Sequence, residues 1–377
     1  MKKTLLAAAL LAGFAGAASA QSSVTLYGVL DGGLRYSSVV SPVSGVTATS
    51  FGGAYGVQSG NRFGMKGVES LGNGNNAVFQ IENGFTLGNG ASADSGRIFN
   101  RASWVGLQNN AWGDVRLGRM TNLTSDWLVG GVDPFAAGFG QLNMGHAFTS
   151  GNTVRMDNVL MYRTPVMNGF QAGVGYSFAT GLTSNGGTTA GSFASSENTR
   201  AITAGLKYAN GPLGAAATYE KVYAADGTSY AGQSVNNWNL GGTYDAKVIK
   251  LGVGYGQTRD GYWTGSSGGG TGAVLRANPS NSGTDGLIFA AGKGYNSYIV
   301  AATIPVNATS RVLLSVTKLT PTASIADAKS QMSYNLGYTY DFTKRTNLYA
   351  YAGQTQNYAT VDTAKSTLVG VGIRHQF

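Results

Sequence analysis

Residues 170–178 read FQAGVGYSF, and this stretch decides the fold class. Apolar residues occupy every second position, namely Phe170, Ala172, Val174, Tyr176 and Phe178. Small or polar residues fill the positions between them: Gln171, Gly173, Gly175 and Ser177. Because successive side chains of a β-strand point to opposite faces, the stretch predicts a strand with one apolar and one small polar face.

The same alternation recurs along the chain. It is found in residues 24–36, 202–208, 251–255 and 334–340, where an apolar, often aromatic-ended face lies opposite small, polar or charged residues. One such segment would also suit a soluble sandwich, but repeated faces of this small polar kind could not fill a core. The pattern therefore predicts an all-β barrel whose apolar faces contact lipid.

The composition agrees with a membrane β-barrel. Only 11% of the residues are charged, 58 are Gly, 20 are Tyr and none is Cys. The mean hydropathy is -0.05, as expected where apolar and polar faces average out. Without cysteine no disulfide can hold the chain together, so closure of the sheet is expected to do so.

The N-terminus has the plan of a secretory signal peptide. Lys2 and Lys3 precede an apolar run, which ends at the small-residue site Ala18-Ser19-Ala20. The apolar run is shorter than a membrane anchor requires. We therefore expect residues 1–20 to be cleaved and residues 21–377 to form one barrel domain.

The connections between predicted strands alternate between short and long. Short ones follow Gly67, Leu107, Arg163, Tyr208, Tyr244, Pro305 and Tyr340. Long ones occupy residues 37–55, 121–152, 180–198, 224–235, 259–292 and 319–330. Outer-membrane barrels have short periplasmic turns and long external loops, so the pairing predicts about 16 strands with both chain ends in the periplasm. Residues 286–293 fit either a loop or a strand.

The region from Arg97 to Arg163 predicts a channel constriction. It joins arginine-bearing strands to a long loop that carries Asp126 and Asp133, so cations on the wall would oppose acids on the loop. If Phe63 and Met65 face lipid, Arg62 faces the lumen.

The same alternation applies to the neighbouring strands. If Ala102 and Trp104 face outward, then Arg97, Arg101 and Ser103 face inward, and Arg116 points inward between Val115 and Leu117. Each arginine placed in lipid would cost about 2 to 4 kcal/mol near the bilayer centre, which favours the lumen. A plainer interpretation stays open, in which these arginines solvate a wide lumen or pair with acids.

Two blocks carry a family resemblance. Residues 59–85 read SGNRFGMKGVESLGNGNNAVFQIENGF, and residues 100–120 read NRASWVGLQNNAWGDVRLGRM. Further matches are VTLYGVLD at 24–31, VLMYRTPVMNGFQAGVGYSF at 159–178 and GVGIRHQF at 370–377. Together they resemble the general-diffusion porins of Gram-negative outer membranes, of the beta-proteobacterial type, over the whole mature chain.

The resemblance implies a homotrimer in the outer-membrane lipid bilayer. Each copy would be a 16-stranded antiparallel transmembrane β-barrel with the third external loop folded into the pore, passing small hydrophilic solutes and ions by passive diffusion. Arg62, Arg101 and Arg155 match the basic wall of the constriction, and Asp133 and Asp126 match the acids of the loop. The terminal Phe377 matches the residue that the barrel-assembly machinery recognises.

The charge balance favours a weak anion preference. Residues 133–138 read DPFAAG where the family commonly has an acidic Pro-Glu-Phe-Gly tetrad, so the acidic side is thin. The net charge of +9 falls to +7 when Lys2 and Lys3 are cleaved off, and the absence of a Lys/Arg run disfavours nucleic acid.

The sequence gives little support for catalysis, a metal site or a cofactor. The histidines are His146 and His375, there is no cysteine, and the Gly-rich strings lack a phosphate-binding lysine. We therefore expect no enzyme, no metal site and no cofactor. Two alternatives stay open: a substrate-specific channel with a saturable site for an anion or dicarboxylate, and a structural or adhesive surface barrel.

Overall fold

The structure is a computed structural model of the chain. It describes residues 22–41, 46–94, 96–151, 153–184, 196–263, 286–322 and 328–377. The predicted signal peptide, residues 1–20, lies outside the described residues. No helix in the described part of the chain is long and apolar enough to cross a membrane.

The described residues form eighteen strands. In chain order they are β1 (Ser23–Ser41), β2 (Val46–Tyr55), β3 (Arg62–Gly72), β4 (Asn75–Gly84), β5 (Ala102–Asn109), β6 (Gly113–Thr121), β7 (Arg155–Arg163), β8 (Phe170–Ser177), β9 (Thr183–Ser184), β10 (Arg200–Asn210), β11 (Leu213–Tyr223), β12 (Ser234–Asp245), β13 (Lys250–Trp263), β14 (Gly286–Pro305), β15 (Ser310–Pro321), β16 (Gln331–Asp341), β17 (Thr346–Gln356) and β18 (Lys365–Gln376).

These strands form a closed antiparallel barrel. Strand β1 pairs with β18 along one edge, and its other edge pairs with β3 up to Val29 and with β2 from Gly32 onward. β2 and β3 therefore act as one wall strand that is interrupted between residues 55 and 62. The two-residue β9 pairs in parallel with β14 and stands outside the wall, so that sixteen wall strands remain. The predicted 16-stranded barrel is confirmed.

The two faces of the wall differ as the alternation predicts. Large apolar side chains on the outer face are exposed, among them Val174, Leu206, Leu240, Val253 and Val300. The opposite parity carries small or polar residues, such as Thr203, Thr218 and Asn239, which are buried within the barrel. An exposed apolar band around a closed sheet fits contact with lipid.

Three details differ from the sequence-based expectation. Residues 37–41 and 46–55, expected to be loop, extend a hairpin in which Ser41 pairs with Val46 and Gly32 with Tyr55. Residues 286–293, whose sequence fits either a loop or a strand, belong to β14. Two further long connections, 85–101 and 357–364, join β4 to β5 and β17 to β18. In residues 37–41 and 46–55, continuous backbone pairing between β1 and β2 therefore outweighs a composition that is rich in Ser, Thr and Gly.

The long loop, residues 122–154, packs against inward-facing side chains of the wall. It contains short helical turns at Thr124–Val129, Gly130–Val132, Gly140–Leu142, Met144–His146 and Thr149–Gly151. Near its start, the Leu123 N–H donates to Thr203 Oγ1 at 3.0 Å, and the Thr124 hydroxyl donates to Glu220 Oε1 at 2.9 Å. The loop is therefore anchored to β10 and β11.

Glycines on the inner face leave the space in which the loop packs, and we call this contact between loop and wall the loop seat. A Cβ on Gly241 would lie 2.6 Å from methyl groups of both Leu128 and Val132. Gly173 and Gly205 pair across β8 and β10, and a Cβ on either would lie within 3 Å of the Trp127 ring. The small residues of the inner face therefore leave room for the loop.

Candidate functional site

A polar cavity of about 350 Å³ lies between the wall strands β3–β7 and the long loop. Arg62, Glu82, Trp104 and Arg116 line it from the wall, while Ser125 and Asp126 line it from the loop. The charged lining residues are Arg62, Arg101, Arg116, Arg155, Arg163, Glu82 and Asp126. Four of the arginines predicted for a constriction therefore meet here, with five arginines against two acids.

Glu82 on β4 holds two of these arginines. Its Oε1 lies 2.6 Å from Arg101 Nε, and its Oε2 lies 3.9 Å from Arg62 Nε. The Tyr27 hydroxyl donates to Oε2 at 2.9 Å. Because Glu82 is only 9% exposed, this ion-pair cluster is desolvated on one side and fixes the guanidiniums against the wall.

Arg116 faces inward as predicted, but the predicted parity of β5 is wrong. Its guanidinium stacks over the Trp104 ring at 4.3 Å and lies 2.7 Å from Asp114. Trp104 therefore faces the lumen, because the residues that reach lipid are Val105 and Leu107. The outward set of this strand begins one position later than the apolar Ala102 suggested.

A second polar cavity, of about 630 Å³, adjoins the first. Arg101 and Arg155 line both cavities, and Arg97, Arg119 and Asp94 line the second one. Arg97 comes from the connection 85–101, and one of its amino groups lies 2.6 Å from Asp157 Oδ2. Arg97 therefore belongs to the same basic surface, beside the cavity that holds Arg62 and Arg116.

Asp126 is the loop acid that faces the arginines. It lines the first cavity and accepts a hydrogen bond from the Thr121 hydroxyl. Desolvation between wall and loop raises the pKa of its carboxyl, while the Thr121 bond and the charge of Arg155 oppose that rise. In the structure, Asp126 therefore lines the same cavity as the arginines of the wall.

Asp133 does not meet the arginines. It is 3% exposed, and its carboxylate accepts backbone N–H bonds from Phe135 at 3.0 Å and from Met144. Burial raises its pKa to about 7, although these two bonds act in the opposite direction. The expectation that Asp133 presents charge to the opening is wrong, because the carboxylate closes the turn of its own loop.

The acids nearest the arginines come from the wall, and they were not predicted from the sequence. Glu82 pairs with Arg62 and Arg101, Asp114 with Arg116 and Arg163, and Asp157 with Arg97 and Arg119. Glu82 and Asp114 lie at inward positions of strands whose alternation was legible, so parity could have found them.

Phe377 closes the last strand against the first. Its N–H donates to the Gly28 carbonyl at 3.1 Å, and its carbonyl accepts from the Gly28 N–H at 3.1 Å. The side chain is 46% exposed. An exposed terminal aromatic ring at the barrel seam is accessible to another protein.

Comparison with known proteins gives one consistent result. The model of a family described as Gram-negative porin matches residues 7–360. The chain is 45% identical to an outer membrane porin protein of Bordetella pertussis and 32% identical to outer membrane porin protein 32 of Delftia acidovorans, with both chains covered completely in each case. Among solved structures, an anion-selective porin from Comamonas acidovorans is 28% identical with a TM-score of 0.69, over 95% of this chain and 100% of that one.

Proposed function

The chain belongs to the Gram-negative porin family and is an outer-membrane protein, and we propose that it forms a water-filled channel with a weak preference for anions. Small hydrophilic solutes and ions would cross it by passive diffusion. The observation that carries this proposal is the lining of the first cavity, where five arginines face two acids. Rings of cationic side chains favour anions in pores.

The preference is expected to be weak because wall acids offset much of the positive charge. Glu82, Asp114 and Asp157 each lie beside two arginines. Arginine stays charged at any accessible pH, so the remaining excess is permanent. The related Comamonas acidovorans protein, described as an anion-selective porin, supports the same sign of selectivity.

The long loop would lie inside the barrel and narrow the opening. Its contacts with Thr203, Glu220 and Gly241 on the inner face support this position, as does its share in the cavity lining. Sieving by the loop and the field between Asp126 and the arginines would then act at one level of the pore.

A channel recording tests the proposal. Replacing Arg62, Arg101 and Arg155 by Ala should shift the reversal potential in a KCl gradient toward cations, because each removed charge weakens attraction of an anion by about 1 kcal/mol at contact distance in water. The matched control replaces Arg200, Lys221 and Arg259 in a bilayer of zwitterionic lipid. These three residues share the outward parity of the exposed Leu206, Tyr219 and Val253 on their own strands. An equal shift in both variants would contradict the proposed role of the lumen arginines.

The same recording separates the alternatives. Current that rises in proportion to solute concentration supports diffusion, whereas block at micromolar concentrations of one dicarboxylate supports a saturable site. Absence of conductance would leave a structural or adhesive barrel.

The assembly of the channel is part of the proposal. Three copies would associate through their outer faces, as the family resemblance implies. Phe377 would be recognised by the barrel-assembly machinery, because its exposed ring ends the seam strand. Deleting Phe377 should lower the yield of folded barrel in the outer membrane, measured by heat-dependent mobility on a gel.

A further inference from the structure

Residues 56–61, which we call the inner strap, interrupt the barrel wall between β2 and β3. The pairing of β1 with β3 ends at Val29, and its pairing with β2 begins at Gly32. Two residues of β1 therefore stand opposite the six residues of the strap. An excess of this size cannot stay in the plane of the sheet, so part of the strap has to leave the wall.

The two ends of the inner strap remain bonded to the wall. The Gly56 N–H donates to the Asp31 carbonyl at 2.9 Å, and the Asp31 N–H donates to Asn61 Oδ1 at 2.5 Å. On the other side, the Phe85 N–H donates to the Asn61 carbonyl at 3.1 Å. The ends therefore replace the missing ladder bonds of β1, and the middle of the strap is the part that leaves the sheet.

The middle of the inner strap points into the barrel and touches the long loop. Val57 is 8% exposed and belongs to the apolar cluster that contains Phe135 and Phe139. Its carbonyl accepts a hydrogen bond from the Phe139 N–H. A Cβ on Gly138 would lie 2.2 Å from the Gln58 carbonyl oxygen, so the backbones of loop and strap are in direct contact.

The C-terminal part of the inner strap touches the basic wall. A Cβ on Gly60 would lie 3.2 Å from an amino group of Arg101. Gly56, Gly60 and Asn61 line the second cavity together with Arg101. Arg62, which lines the first cavity, follows Asn61 directly in the chain. One short segment therefore contacts both the long loop and the arginines.

The Asp31 carboxylate clamps the inner strap in this position. Asp31 is 0% exposed, and its Oδ2 accepts the Ser59 N–H at 2.7 Å. Its Oδ1 accepts the hydroxyl of Tyr349 at 2.6 Å. A Cβ on Gly372 would lie 2.2 Å from the same hydroxyl oxygen, so the glycine of β18 leaves room for the ring of β17 to reach β1. Hydrogen bonds to a carboxylate are stronger than neutral ones.

We propose that Asp31 is a positioning residue of the pore, which acts through the inner strap on the Phe139 end of the long loop and on the Arg101 guanidinium. The clamp itself is a matter of hydrogen bonds, and only its effect on conduction rests on the proposed channel function. An Asn side chain can keep both bonds, because its oxygen accepts from Ser59 and its amide donates to the Tyr349 hydroxyl. An Ala side chain keeps neither.

The first test measures thiol exposure in the folded full chain in detergent micelles. The sequence has no cysteine, so Val57→Cys supplies a single buried thiol on the inner strap. Its rate of reaction with a water-soluble maleimide reports how often the strap leaves the loop. Adding Asp31→Ala should raise this rate roughly tenfold, because the buried donors of Ser59 and Tyr349 lose their acceptor. Adding Asp31→Asn should leave the rate unchanged.

Two matched controls complete this test. Ala147→Cys places a thiol in the other apolar cluster of the long loop, at a position that is 1% exposed, and Asp31→Ala should leave its rate unchanged. Tyr349→Phe and Tyr351→Phe each remove one buried hydroxyl, and among the described residues the hydroxyl of Tyr351 has no hydrogen-bond partner. Tyr349→Phe should raise the rate at Val57→Cys, and Tyr351→Phe should leave it unchanged. Tyr349→Phe also carries the test should Asp31→Ala fail to fold.

The second test measures the effect on the pore. In planar bilayers, Asp31→Ala should raise the open-channel noise, whereas Asp31→Asn should keep the noise of the unmodified channel. Both variants remove the same charge, so a difference between their reversal potentials in a KCl gradient reports displacement of Arg101. A residue that only stabilises the barrel would lower the yield of folded protein and leave the current of each inserted channel unchanged.

Several results would overturn the proposal. An equal rise at Val57→Cys and Ala147→Cys would show that Asp31→Ala loosens the whole interior, and an unchanged rate at Val57→Cys would show that the carboxylate does not hold the strap. An equal rise with Asp31→Asn would assign the effect to charge instead of hydrogen bonds. A looser strap with unchanged noise and reversal potential would separate it from the pore. Thiol rates as expected in a barrel without conductance would refute the channel and retain the clamp.

Discussion

Two arcs of the barrel wall have similar outer faces and very different inner faces. On β3–β7 the inward positions carry arginines, acids and Trp104, which line an open cavity. On β8–β17 many inward positions carry glycine, serine, threonine or asparagine, and the long loop packs against several of them. The outer faces of both arcs carry exposed apolar residues, whereas the inner faces differ according to the groups that they contact.

The long loop packs on the glycine-rich arc, which we call the support, and leaves beside β3–β7 the charged cavity that we propose as the solute path and call the conduit. Apolar loop residues fill the glycine-lined side in two clusters, one around Trp127 and Phe148 and one around Phe135 and Phe139. On the charged side, wall acids hold the arginines beside the first cavity, and covering these charged groups would cost desolvation free energy. Most residues that hold the loop are therefore distinct from those that charge the cavity, with Asp126 of the loop as a member of the charged lining.

The largest expected effect comes from breaking the support. Gly241 faces the loop, and Val in its place would clash with Leu128 and Val132, an overpacking that costs about 1–3 kcal/mol. The loop should be displaced toward the centre of the barrel, so that single-channel conductance falls and open-channel noise rises. Planar-bilayer recording measures both.

The neighbouring residue provides the control. Gly242 points to the outer face, where an added Cβ would meet only the Gly214 carbonyl oxygen, at 3.7 Å. Gly242→Val should leave conductance unchanged. The support role of the glycine-lined arc would be refuted if Gly241→Val and Gly242→Val gave the same current.

Sequence patterns predicted most of the outer face, with β5 as the exception, and predicted much less of the inner face. Strand period and lipid exposure are local properties, so alternation predicted the inward direction of Arg62 and Arg116. Together with the lengths of the connections, alternation also predicted about 16 strands. Thr124 and Glu220, by contrast, are 96 positions apart, and no local sequence pattern predicts the hydrogen bond between them. The glycines of the support were therefore predicted only as part of a small polar face that could not fill a core, and not as the surface on which the loop packs.

The acidic residues show the same limit of sequence-based prediction, here for hydrogen-bond and ion-pair partners. Asp133 was expected at the opening, but a residue followed by Pro134 and Phe135 can close a turn on its own loop, and it does so. Glu82 reaches Arg101 only through the register between β4 and β5, which cross-strand pairing decides. The sequence predicted which residues carry charge, but it did not predict which residues they pair with.

A smaller effect is expected from altering the charge of the conduit. Glu82→Gln removes the acid beside Arg62 and Arg101 while keeping the shape of the side chain. The reversal potential in a KCl gradient should shift toward anions, by the effect of one charge worth about 1 kcal/mol at contact in water. The conductance itself should change little, because the loop seat is untouched.

Glu69→Gln is the matched control, since Glu69 is an exposed acid on β3 outside the cavity lining. It removes the same charge and should leave the selectivity close to that of the unmodified channel. A shift toward cations in Glu82→Gln would contradict the assignment of Glu82 as the acid that limits anion preference.

The smallest effect concerns the pH dependence of the loop seat. Burial raises the pKa of Asp133 to about 7 and lowers the pKa of His146 to about 4. Between about pH 4 and 6.5 the seated loop holds a protonated aspartic acid and a neutral histidine, and a detached loop would hold the reverse. One proton is released and one is taken up, so the seat should be nearly independent of pH in this range.

Single variants should expose the two opposing dependences. Asp133→Asn leaves His146, whose lowered pKa makes the seat weaker as pH falls from about 6.5 to about 4. His146→Gln leaves Asp133, whose raised pKa makes the seat weaker as pH rises from about 4 to about 7. Open-channel noise recorded from pH 4 to pH 8 should therefore rise at opposite ends in the two variants. Noise that changes in the same direction in both would show that these two groups do not govern how the loop is held.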